Sequence, residues 1–275
     1  MALYTYDTPG AMARAYVAAR AKAAQHNSVN KWDDKWLGGT SRDDALAYSQ
    51  NGRDSYVAPA QAMLDTLDIT LPDSGRDLWH DSIAGAYPNV PNHIAGFPDD
   101  MRRRSRESDE TAPLVILVCL TSSAGIAAKT LTNRGIAILA LTMAASIARP
   151  VQLITLAMQD DARTNDPLGS CHLVHIPSAP LSLAEAGFAL CDVSFARGLG
   201  YGLTFALDQS RGWWPTGYKY GTPTGRVDYM NRVADAAGLP ADRLCIPPVE
   251  LSDDIVKNPT QWLRDRIRQY VHHEA

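Results

Sequence analysis

The chain has no Cys-x-x-Cys pair, no phosphate-binding P-loop, no G-x-S-x-G nucleophile frame, no apolar run of membrane length and no surplus of positive charge. Each absence removes a class of function. Four cysteines, Cys119, Cys171, Cys191 and Cys245, stand far apart in apolar runs, which argues against zinc and for free buried thiols in a reducing compartment. A net charge of −4 argues against a globally basic nucleic-acid binder. The longest apolar stretch, Ile136 to Ala148, is interrupted by Thr142 and Ser146 and falls short of the ~20 residues that span a bilayer. The opening "MALYTYDTPGAMARAY" carries Asp7 where a secretion signal needs an apolar core, so the expected location is the cytoplasm, with no membrane.

What is present divides into two textures. Residues 1–111 read as a helical N-terminal region and connector. Thr8-Pro9 starts one helix, Thr40 or Ser41 caps a second that Gly52 closes, and a third covers Ser55 to Leu67. "GAYPNVPNHIAGFPDDM" reads as a loop with one short helix at most. Residues 112–275 read as a mainly parallel α/β domain. "LVILVC" is a strand buried on both faces, "TNRGIAILALTMAASIAR" a helix, and "PVQLITLAM" and "CHLVHIPSAP" two more strands. "YGLTFALDQ" is expected to be a fourth strand ending at Asp208, and "RLCIPPV" a fifth. No helical pattern joins strands two and three, so they form an antiparallel hairpin at one edge of the sheet.

That order, with a hairpin after the first crossover, resembles the von Willebrand factor A fold. The family's signature, D-x-S-x-S, falls here on Cys119, Thr121 and Ser123, with Ser178 or Ser182 in the place of a later threonine and Asp208 in the place of a late aspartate. The resemblance implies a divalent-cation site at the carboxyl ends of the strands. Cys119 replaces the leading carboxylate, and Mg²⁺ wants oxygen ligands, so the site is expected to be degenerate: no cofactor, or weakly bound Mg²⁺ on Thr121, Ser123 and Asp208. "WLGG", "GAYPNVPNHIAGFPDDM" and "NRGIAILAL" resemble an uncharacterised group of bacteriophage-encoded proteins, which implies a phage origin and no chemistry.

Other constellations have bland readings. "GLGYG" follows a helix and precedes the expected fourth strand, the reverse of a dinucleotide loop, and reads as a helix stop. His172 and His175, three apart in a strand, point to opposite faces. His80 and His93 lie near Asp81, where a His–Asp contact is an ordinary hydrogen bond. Arg102, Arg103, Arg104 and Arg106 offer a phosphate contact, offset by Glu107, Asp109 and Glu110. The segment "RGWWPTGYKYGTP" brings Arg211, Trp213, Trp214, Tyr218 and Tyr220 together as a partner-binding loop.

No catalytic constellation stands out. The expected function is non-catalytic binding or assembly with a protein partner at the carboxyl-end rim of the sheet: Thr121, Ser122, Ser123, Ser178, Asp208 and the aromatic loop. Homo-oligomerisation is compatible with it. The alternatives are a divalent-metal-dependent hydrolase or nuclease at the same rim, and a nucleic-acid-binding module built on the arginine run and the aromatic loop.

Overall fold

A computed structural model describes residues 2–24, 34–67, 76–83, 87–107, 113–123, 125–159, 170–178, 180–210 and 226–270. In chain order the elements are β1 (Ala2–Tyr6), α1 (Pro9–Ala24), α2 (Arg42–Asn51), a 3₁₀ turn (Asp54–Tyr56), α3 (Val57–Asp65), β2 (Arg76–Ser82), β3 (Tyr87–Pro88), α4 (Val90–Ala95) and β4 (Met101–Glu107). There follow β5 (Leu114–Cys119), α5 (Ala128–Ala148), β6 (Val151–Gln159), β7 (Ser170–His175), α6 (Leu183–Cys191), a π-helix (Ser194–Gly200), α7 (Tyr201–Ser210), α8 (Arg226–Ala236), β8 (Leu244–Ile246), α9 (Asp254–Lys257) and α10 (Pro259–Tyr270).

Five strands form the main sheet in the order β1-β7-β6-β5-β8. β6, β5 and β8 are parallel; β7 returns antiparallel to β6, and β1 pairs parallel with β7. The class is α/β with the expected antiparallel hairpin. Alternation along β5 explains its unbroken apolar run: Leu114, Ile116 and Val118 enter one apolar cluster, while Val115, Leu117 and Cys119 enter the other. The first cluster is filled from α1, α5, α6, α7 and α10, and the second by Met230, Val233 and Ala234 of α8. The N-terminal helices therefore pack onto the sheet's own core.

Several capping expectations hold. The Ala11 N–H donates to Thr8 Oγ1 at 3.1 Å and the Asp44 N–H to Ser41 Oγ at 3.1 Å, while Gly52 ends α2 with φ +73°. The Gln261 N–H donates to Asn258 Oδ1 at 3.2 Å, with Pro259 first in α10. α6 ends at Asp192.

Three expectations are corrected. "YGLTFALDQ" is helix α7, continuous with the π-helix, because Leu199, Leu203 and Ala206 repeat at helical spacing and all enter the first cluster. "GLGYG" accordingly lies inside a helix. Its glycines permit close packing: a Cβ at Gly202 would meet Tyr16 Cε2 at 2.8 Å, and one at Gly200 would meet Ala157 Cβ at 3.4 Å. Second, residues 2–6 of the supposedly helical N-terminal region form β1, the outer strand beside β7. Third, the connector is a small antiparallel sheet of order β2-β4-β3 that carries the one short helix α4.

α5 is the one helix among the described residues long and apolar enough to cross a membrane, and 61% of its apolar window is buried in the core.

Candidate functional site

At the carboxyl end of β5 the chain turns through Thr121, Ser122 and Ser123. Thr121 Oγ1 accepts from the Met158 N–H at 2.9 Å and donates to the Met158 carbonyl at 3.0 Å, so the hydroxyl extends the β5–β6 pairing past its last residues. Ser122 is buried and bridges to Val249 beyond β8. Ser123 Oγ accepts from the Gly125 N–H at 3.4 Å.

Two buried guanidiniums hold this turn. Arg197, in the π-helix, donates from Nη2 to the carbonyls of Ser123 at 2.9 Å and Ile126 at 2.8 Å, and lies over the Trp36 ring at 4.9 Å. Arg134, in α5, donates from Nη2 to the carbonyls of Cys119 at 3.1 Å and Pro247 at 2.7 Å, joining the ends of β5 and β8. Sequence reasoning missed both. Their signal was a single arginine inside an otherwise apolar helical run, where a buried cation must find carbonyl oxygens.

The expected rim does not assemble as drawn. β7 runs antiparallel to β6, so Ser178, which follows β7, is carried to the end of the sheet opposite Thr121. Asp208 does not end a strand. It sits in the last turn of α7, seven residues beyond Tyr201, which shares a small cleft with Thr121 and Ser122. The acidic segment beside the hydroxyls is instead Glu250 to Asp254, because Ser122 bridges to Val249. "VELSDD" after a strand was the signal for it. The donors at the turn suit Mg²⁺ poorly. Thr121 is hydrogen-bonded in both directions, and the Cys119 side chain lies in the apolar cluster under α8. Among the described residues, no group of three or more His, Cys, Asp or Glu could hold a metal ion.

Other candidates fall elsewhere. Arg211, Trp213, Trp214, Tyr218 and Tyr220 lie outside the described residues. The arginine run forms β4: Arg102 reaches Asp81 at 3.8 Å, and Arg103, Arg104 and Arg106 pair through their backbones with β2. His172 and His175 go separate ways. His175 Nδ1 lies 3.5 Å from Gln152 Nε2. His172 is buried, with Nε2 at 2.8 Å from Thr204 Oγ1 and its ring stacked at 5.1 Å on Tyr4. Burial holds its pKa down at about 4, so the ring is neutral near pH 7. Asp192, which ends α6, accepts from the Ser194 hydroxyl at 2.6 Å, from Thr40 and from Arg53, and Arg53 is flanked by Tyr48 and Tyr56. These clusters join elements of the fold, and Thr204 also lines the small cleft shared by Thr121 and Tyr201.

The small sheet is held largely by polar contacts near its surface. Asp81 accepts from Asn89 Nδ2 at 2.7 Å and Asn92 Nδ2 at 3.0 Å, His93 meets Asp100 at 2.8 Å, and the Asn89 N–H donates to the Asp100 carbonyl at 2.7 Å. Polar groups thus fix α4 on the hairpin. The large apolar side chains point outward: Ile83 is 74% exposed, Tyr87 60%, Val90 55%, Ile94 80% and Phe97 60%. Val90 and Ile94, four apart, share a face of α4, and Gly96 in the left-handed conformation turns the chain directly before Phe97.

A family model described as "Domain of unknown function (DUF7192)" matches residues 5–270. No curated protein and no solved structure matches the chain.

Proposed function

We propose that this chain, which belongs to the DUF7192 family, is a non-catalytic assembly protein that docks a second copy of itself through the apolar surface of its small sheet. The observation that carries the reading is the exposure of five large apolar side chains, Ile83, Tyr87, Val90, Ile94 and Phe97, within fifteen residues. Single exposed apolar residues need no explanation, but a concentration of them marks an interaction site. The five leave roughly 600–700 Å² to solvent, close to the ~800 Å² each partner contributes to a standard interface. The sequence of residues 76–110 holds seven carboxylates and five arginines, a mixed charge that suits a protein partner better than nucleic acid or an anionic lipid. Two-fold self-association is the commonest closed arrangement for such a surface.

The von Willebrand A-like reading of the main sheet is part of the same proposal, supported by the hairpin that follows the first crossover. The internal roles of Thr121 and of the two arginines support a rim that is rigid and structural. A cytoplasmic location is supported by the four unbridged cysteines. Light scattering on the purified chain tests the proposal. The expected mass is that of two chains, falling to one for Ile94→Asp with Phe97→Asp. A wild-type mass of one chain across the micromolar range would overturn it.

A further inference from the structure

A cleft of about 240 Å³ runs along edge strand β8 from Leu244 to Pro247, reaching the carboxyl end of that parallel strand. Ligands of α/β sheets collect at that end. One wall is a stripe on α10, Trp262, Arg266 and Tyr270, spaced four apart so that all three share a face. β8 supplies an apolar floor through Leu244 and Ile246. Asp253, Asp254 and buried Arg134 line the cleft as well.

The chemistry of this lining is dipolar. Arg266 and Asp254 border the same space yet make no ion pair with each other among the described residues. Arg266 Nη1 donates to Gln269 Oε1 at 2.6 Å, and its guanidinium lies 6.0 Å from the Trp262 ring. Opposite charges that line one cleft without meeting are complementary to a ligand carrying both signs. The aromatic wall adds a surface on which a ring or a large aliphatic group can pack. The volume is below the ~300–1,000 Å³ of most ligand pockets, which limits the occupant to about the size of one large side chain with its head group.

We propose that this cleft binds a small zwitterion with an aromatic or large apolar side chain, of which a free hydrophobic amino acid is the simplest member. The ammonium faces Asp254, the carboxylate faces Arg266, and the side chain packs on Trp262 and Tyr270.

Titration calorimetry on the full chain, with L-phenylalanine, 3-phenylpropionate and phenethylamine as probes, tests it. Phenylalanine binds saturably, and each analogue lacking one charge binds at least about tenfold more weakly, ~1.4 kcal/mol. Asp254→Asn weakens phenylalanine but leaves phenylpropionate unchanged, whereas Arg266→Gln weakens phenylalanine but leaves phenethylamine unchanged. Both side chains reach solvent, and circular dichroism confirms that the variants are folded. Absence of saturable phenylalanine binding overturns the proposal. So do analogues that bind as well as phenylalanine, or variants that lose all three probes equally.

Discussion

The two sheets of this chain treat their large apolar side chains in opposite ways. In the main body, apolar residues fill both faces of β5, and the polar groups that enter the interior are matched to partners: Asp192 with Arg53 and Thr40, His172 with Thr204, Arg134 and Arg197 with backbone carbonyls. In the small sheet, polar pairs such as His93–Asp100 lie at the surface, Asn89 alone among them is buried, and large apolar residues face water beside them. The difference teaches where selection for stability ends and selection for contact begins. A body stabilised by burial loses free energy whenever an inner group is removed. A surface kept apolar for a partner can be changed with little effect on the fold.

Substitutions can break or sharpen that contrast. The largest effect is expected at Asp192, whose carboxylate is 1% exposed beside Arg53. Asp192→Ala leaves a cation and several donors without their acceptor and should lower unfolding free energy by about 3–5 kcal/mol in urea titration. Next comes His172. Burial holds its pKa down at about 4 in the folded chain against the ordinary 6.5, so the unfolded chain binds the proton more readily. The stabilisation is full above pH 6.5 and is lost as pH falls toward 4, by roughly 3 kcal/mol in all. His172→Gln should flatten that slope in pH-resolved melting. Gly135 marks the closest approach of α5 to α6, where an added Cβ would meet the Leu190 carbonyl oxygen at 2.2 Å. Gly135→Ala should cost about 1–3 kcal/mol through overpacking, read from the shift in denaturation midpoint. The smallest effect belongs to the small sheet: Ile94→Asp or Phe97→Asp should change the stability of the isolated chain by no more than ~0.5 kcal/mol.

Much of the body was legible in the sequence. The burial of "LVILVC" on both faces, the caps at Thr8 and Ser41 and the β6–β7 hairpin all follow from short-range pattern and turn chemistry. The failures have physical causes. "YGLTFALDQ" has the apolar content of a buried strand, and such a run cannot be told from a buried helix by composition alone. β1 is five residues long and becomes a strand only because β7 lies beside it, a partner more than 160 residues away. The connector's prolines pointed to a loop, but Pro88 sits at the end of the short strand β3 and Pro91 in the first turn of α4, positions that need no donor.

The candidate site was less legible than the fold. Hydroxyls and a carboxylate placed at strand ends looked like a shared rim, but the reversal of β7 separates Ser178 from Thr121, and the helical α7 removes Asp208 from a strand end. Burial is a property of the assembled chain, so the exposure of Ile94 and Phe97 could not be read from "NHIAGF", which looks like any half-buried turn.

Sedimentation velocity of the wild-type chain beside the Ile94→Asp/Phe97→Asp variant tests the self-docking surface most directly. Two-chain wild type and single-chain variant, both folded, are the results predicted. Wild type that sediments as a single chain, or a variant that sediments as two, would contradict it.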